Sequence, residues 1–147
     1  MILKNELTSI NQSFLHSRMI KDWGFENLVK KVYDESISEM KHANYVIERV
    51  LTLDFLQNLQ DLGKLKIGED VAEIFHSDLK LEEDNQTCLK SAITVCEELK
   101  DFVSREILKN ILVDTEEHID WIEAQNNVIA QIGIGNYLQE QINTNSS

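Results

Sequence analysis

Apolar residues recur at three- and four-residue intervals over four long stretches, the period of a helix with one face turned inward. The pattern predicts helices over about 2–23, 25–53, 71–99 and 101–130, and a short one over about 136–142. Gly24 follows Trp23 as a stop and turn residue. Over 54–70 the period is lost, and Asn58, Asp61, Gly63 and Gly68 punctuate the run. A connection of about 17 residues is long for antiparallel neighbours. It can run the length of a bundle and start the next helix parallel to the last. Glu69 and Asp70 then give that helix an acidic start suited to its dipole. Gly133 and Gly135 close the fourth helix, and the polar tail INTNSS is expected to fray. The predicted fold is all-α: a four-helix bundle over 1–147 as one domain, with one long crossover and a short C-terminal fifth helix.

The inward rows carry charge. The second helix presents Leu28, Val32, Glu35, Glu39, His42 and Val46; the third presents Val71, Phe75, Asp78, Glu82, Asn85, Leu89, Ala92 and Cys96. The first contributes Leu3, Glu6, Ile10 and Ser13, the fourth Ile107, Ile111, Thr115, His118, Ile122, Gln125 and Ile129. Glu39 and His42 are three apart, share a helix face and can point at one atom. A lone Glu-x-x-His is more often a solvated stretch than a site. Here Glu6, Glu39, His42, Glu82 and His118 bring ligand atoms from four helices towards one core. A buried, unpartnered carboxylate costs several kcal/mol, and a bound cation removes that cost. Carboxylates with imidazoles suit iron or manganese, and no thiolate stands in these rows to hold an iron–sulfur centre. One Glu from each of two helices and Glu-x-x-His from each of the others is the di-iron bundle pattern. The fourth helix has Thr115-x-x-His118 instead.

Two helices carry a second row. Leu7, Asn11 and Phe14 lie on the first; Tyr33, Ile37, Met40 and Ile47 lie on the second. A helix needs one apolar row to join a monomer's core, so these rows suggest a contact with another subunit.

Composition narrows the function. The 147 residues suffice for a domain with a core, and Pro is absent. A net charge of −12 argues against nucleic acid and against an anionic membrane surface, and it favours the collection of cations. No apolar run reaches the length of a membrane span, and the N-terminal residues lack a signal-peptide layout. Cys88 and Cys96 are eight apart on one predicted helix, about 12 Å of rise, too far for a mutual disulfide. The expected location is cytoplasmic.

The chain resembles the bacterioferritin family over nearly its whole length. The resemblance rests on Asn5-Glu6-Leu7, Ile10-Asn11-Gln12, Phe14-Leu15-His16, Glu35-Ser36-Ile37, Glu39-Met40-Lys41-His42-Ala43 and Ile47-Glu48-Arg49. It continues through Asn58-Leu59-Gln60-Asp61-Leu62-Gly63-Lys64-Leu65, Ile67-Gly68-Glu69-Asp70-Val71, Ser77-Asp78-Leu79, Val103-Ser104-Arg105 and His118-Ile119-Asp120-Trp121. It implies a ferritin-like bundle and a 24-subunit hollow shell of identical or related subunits that stores ferric iron. It further implies a di-iron centre that oxidises Fe(II), haem b between subunit pairs, and a ferredoxin-type reductant. Matched by position, the implied metal ligands are Glu6, Glu39, His42, Glu82 and His118. The implied haem ligand is Met40, one from each of two subunits, with Leu7, Asn11, Phe14, Tyr33 and Ile37 lining the pocket. An isolated Met is usually packing, but Met40 lies off the core row.

The chain also departs from the family. Thr115 stands where the sixth ligand, a glutamate, is usual; Ser13 replaces a tyrosine, and Asp34 and Ser38 replace the cavity-facing histidine and aspartate. A hydroxyl cannot bridge two metals as a carboxylate does, Asp114 lies to the other side of the His118 face, and Glu116 faces elsewhere. The expectation is one well-occupied metal position or none, in a subunit that supplies haem ligation to a mixed shell. The alternative is a fully competent ferroxidase subunit oxidising Fe(II) with O2 or peroxide. A di-iron oxygenase or peroxidase on the same bundle has less support, since fold alone does not give function.

Overall fold

A computed structural model describes residues 2–52 and 63–142. Among them are five helices, α1 (Ile2–Asp22), α2 (Glu26–Thr52), α3 (Val71–Glu98), α4 (Phe102–Ile132) and α5 (Ile134–Glu140), and no strand. The middle of the crossover, 53–62, and the tail, 143–147, lie outside the described residues.

Side-chain pairings give the helix directions. Glu6 faces His42 and Ser13 faces Glu39, so α1 and α2 are antiparallel. Gln12 bonds Asp78 while Glu6 accepts from Asn85, so α1 and α3 are antiparallel too. Helices α2 and α3 therefore run parallel, as the long connection requires. Arg49 meets Ser104 and His42 meets Asp114, which places α4 antiparallel to α2.

The ends follow from local chemistry. Gly24 has φ +89°, and Phe25 N–H and Gly24 N–H donate to the carbonyls of Ile20 and Lys21. This is the left-handed cap in which glycine meets no Cβ clash. The α3–α4 turn uses the same bonds around Lys100, at φ +58°, with Asp101 N–H on Cys96 O and Lys100 N–H on Glu97 O. Asp101 then caps α4, accepting from Ser104 N–H at 3.2 Å. Helix α4 runs two residues past its expected end, and Gly133 at φ +84° breaks it. Gly135 does not end a helix: it lies inside α5, which starts at once because Gly133 O accepts from Tyr137 N–H.

The interior has three layers. Ile20, Leu28, Val32, Val71, Ile74, Phe75, Ile122 and Tyr137 form one apolar cluster. Leu3, Ala43, Val46, Leu89 and Ile111 form another. The metal-type side chains of the inward rows lie along the chain between the two sets. The buried face of α1 is unusually polar, with Thr8, Ser9, Gln12, Ser13, His16 and Ser17. Part of it fastens the described end of the crossover: Thr8 Oγ1, Gln12 Oε1 and His16 Nε2 accept from the N–H groups of Gly63, Lys66 and Gly68.

Candidate metal centre

The predicted ligands converge. Glu6, Glu39, His42, Glu82 and His118 are all buried, one from each of α1, α3 and α4 and two from α2. His42 Nδ1 is 3.4 Å from Glu6 Oε2, and His118 Nδ1 is 3.7 Å from Glu82 Oε1. Ser13 Oγ donates to Glu39 Oε2 at 3.4 Å, and Asn85 Nδ2 donates to Glu6 Oε1 at 2.9 Å. Thr115 is buried in the same row, 2% exposed, and brings no charge.

Three buried atoms at this centre, Glu39 Oε1, His42 Nδ1 and His118 Nδ1, have no hydrogen-bond partner. Buried polar groups are rarely left so. Each is of a type that ligates metals, and once deprotonated they together offer lone pairs to a divalent cation. The residues present therefore fit a metal.

The electrostatics agree. Burial raises Glu39 well above the usual carboxylate range, and the charges of Glu82, Glu6 and Glu35 push the same way. Burial also raises Glu82, but the neighbouring His118 imidazole outweighs it and holds Glu82 low. Glu6 is raised by burial, with His42 opposing. Burial lowers His42, yet Glu6 and then Asp114 overcome it and push the imidazole up to about 8. His118 is likewise raised, chiefly by Glu82 against burial. Without a metal, these shifts favour a proton on Glu39 and on the two imidazoles. A cation replaces those protons.

Two side chains outside the predicted ligand set belong to the centre. Asp114 does not take the place of Thr115. It reaches His42 from the outer side, Oδ2 at 2.8 Å from Nε2. That bond puts the proton on Nε2 in the neutral ring and leaves Nδ1 facing Glu6, the usual orienting role of a carboxylate behind a ligating histidine. Glu35 places Oε2 3.3 Å from His118 Nδ1, and with Glu39 and His118 it offers three ligand atoms within 4.8 Å of one another. Its position in the inward row of α2, four before Glu39, was the sequence signal for it.

The expected haem residues lie on the outer side of α1 and α2. Met40 is 51% exposed, and Phe14 and Tyr33 are also open. Phe14 and Tyr33 face each other at 6.4 Å, with the Arg18 guanidinium over both rings. Asn11 is exposed and Ile37 half-buried. Leu7 instead packs against the Leu3–Ile111 cluster. Asp34 is exposed and paired with Lys30 at 2.6 Å.

A ferritin-like domain model matches residues 1–132. Bacterioferritin of Mycobacterium leprae is 43% identical over 131 residues, covering 89% of this chain and 82% of that protein. Bacterioferritin of Brucella melitensis is 40% identical over 134 residues, 91% and 83% of the two chains. A bacterial ferritin of Pseudomonas aeruginosa is 42% identical over 142 residues, 96% and 92%. With the bundle, the crossover and the buried glutamates and histidines, these matches place the chain in the ferritin-like domain family, among the bacterioferritins.

Proposed function

We propose that this chain is a subunit of an iron-storing shell, that its bundle core takes up Fe(II) through Glu6, Glu39, His42, Glu82 and His118, and that Met40 ligates haem b where two subunits meet. The observation that carries the metal reading is the set of unpartnered buried atoms on Glu39, His42 and His118. Iron is the substrate. The chain's part is to hold it among carboxylates and to orient His42 through Asp114. The net charge of −12 favours the approach of cations to such a shell.

The haem reading rests on Met40, which like Phe14 and Tyr33 is exposed rather than packed in the core. An apolar surface with a soft ligand fits a group shared between two copies. Haem, when bound, supplies an electron relay, and its axial ligands tune its potential. A 24-subunit assembly, a ferredoxin-type reductant and a cytoplasmic location belong to the same proposal. No helix among the described residues is long and apolar enough to cross a membrane.

Thr115 favours a subunit specialised in haem ligation within a mixed shell. The burial of the remaining ligands together favours the second reading, a fully competent ferroxidase using O2 or peroxide. The optical spectrum of the purified protein, followed by aerobic Fe(II) addition, separates the two. A haem spectrum with slow oxidation supports the first, and a fast phase oxidising two irons per subunit supports the second. Absence of both haem and iron uptake overturns the proposal.

A further inference from the structure

Helix α4 lacks a carboxylate in the row that faces the centre, because Thr115 occupies the place. The neighbouring helix α2 supplies one. Glu35 lies one helical turn before Glu39 on α2, with its side chain 15% exposed. Its two oxygens have separate duties. Oε1 pairs with Lys31 Nζ at 2.9 Å, and Oε2 turns inward to 3.3 Å from His118 Nδ1. That ring nitrogen has no hydrogen-bond partner, and neither has Glu39 Oε1. Glu82 Oε1 is 3.7 Å from the same ring nitrogen.

We propose that Glu35 supplies the carboxylate that α4 lacks, so that Glu35, Glu39 and His118, with Glu82, hold a second divalent transition-metal ion beside the one held by Glu6 and His42. Ligand atoms around one such ion sit about 2.0–2.2 Å from it and so about 3–4 Å from each other. The three atoms here lie within 4.8 Å of one another, a slightly open shell that an ion would draw inward. Lys31 does not block this. It binds the other oxygen, and its ammonium also lies over the Trp121 ring at 5.3 Å. Asp114 cannot serve the same position, because its carboxylate is engaged on the outer nitrogen of His42. The inference rests on the metal reading of the core but differs from it in ligand and in stoichiometry: it requires two ions per chain where Thr115 alone implied one or none.

Anaerobic Co(II) titration of the assembled protein tests it, with bound metal counted by equilibrium dialysis and coordination followed by visible absorption. The native chain is expected to bind two Co(II). Glu35→Gln should hold the first ion and bind the second about 10–100-fold more weakly. Glu35→Gln with Thr115→Glu should recover the second ion, since a carboxylate then returns from α4. Far-UV circular dichroism checks each fold. Glu35→Asp, which draws the carboxylate back while keeping its charge, gives the same selective loss if Glu35→Gln misfolds. Two results overturn the proposal while leaving a metal-binding core intact: a native chain that binds a single Co(II), or a Glu35→Gln chain that still binds both with native affinity. A native chain that binds no Co(II) overturns both readings.

Discussion

Thr115 shows how one side chain sets the balance between stability and chemistry. Its hydroxyl sits in a core already crowded with Glu6, Glu39 and Glu82. A glutamate there would add another buried acid to a metal-free core whose Glu39 is already raised by burial and by its neighbours. Thr115→Glu should therefore destabilise the metal-free protein by on the order of 2 kcal/mol, seen as a lower Tm in chelator, and should regain that stability when a divalent metal is added. It should also speed Fe(II) oxidation, because a carboxylate from α4 can bridge two ions where a hydroxyl cannot. Stopped-flow oxidation of anaerobically loaded protein measures this. A rate unchanged by the substitution would put the limiting defect elsewhere, with Ser13 the first candidate.

The helices are held in register by polar contacts at their ends and along α1. Asp101 caps α4 and also binds Arg49 of α2, with Arg49 Nη2 donating to its Oδ1 at 3.0 Å. Hydrogen bonds from Ser104, then Arg49, hold this carboxyl below its ordinary value of 3.8. A depressed folded pKa contributes stability above the unfolded value that is lost as pH falls through the folded one. Asp101→Asn keeps a capping oxygen but removes the charge. The native chain should be more stable than this variant at neutral pH, and the gap should close below about pH 4; urea unfolding at several pH values reads it. Along α1, His16 donates through Nδ1 to Asp78 at 3.0 Å and accepts from Gly68 N–H at 3.1 Å. His16→Leu leaves a buried N–H unpaired and Asp78 with one partner fewer. A loss of about 2–3 kcal/mol is expected, together with faster hydrogen exchange at Gly68. Exchange at Gly68 that stays slow would mean the crossover is held by other contacts.

At the scale of the whole molecule, the outward face of α1 and α2 matters most. Met40, Phe14 and Tyr33 are too open to belong to the core that buries Glu6, Glu39 and His42. If Met40 ligates haem between two copies, Met40→Leu should abolish bound haem and leave helix content and metal binding unchanged, because the swap nearly conserves volume. Absorption of the purified variant in the Soret region gives the answer, and full retention of haem would remove Met40 from the site. The substitution tests the subunit contact without touching the bundle interior, since the two rows of α2 point to different sides.

The period of apolar residues determined the four long helices, and the length of the 54–70 connection determined their parallel and antiparallel order. Both are local properties: helical spacing sorts side chains onto faces, and chain length limits which ends can meet. The same spacing put Glu6, Glu39, His42, Glu82 and His118 on inward rows, where the fold brings them together. Helix ends were less legible. Gly135 reads as a stop, but only the backbone at Gly133, with φ +84°, decides where α4 ends and α5 begins. The buried polar face of α1 escaped as well, because Gln12 and His16 look like surface residues until Asp78 and the crossover amides arrive to satisfy them. The part played by Asp114 was out of reach for the same reason, and spacing put Glu35 on the inward row without showing its partner. Spacing shows which residues share a face of one helix, but whether a carboxylate on the rim of that face meets an imidazole on the next helix depends on how the two helices pack. Only the tertiary structure sets the 2.8 Å from Asp114 to His42 and the 3.3 Å from Glu35 to His118.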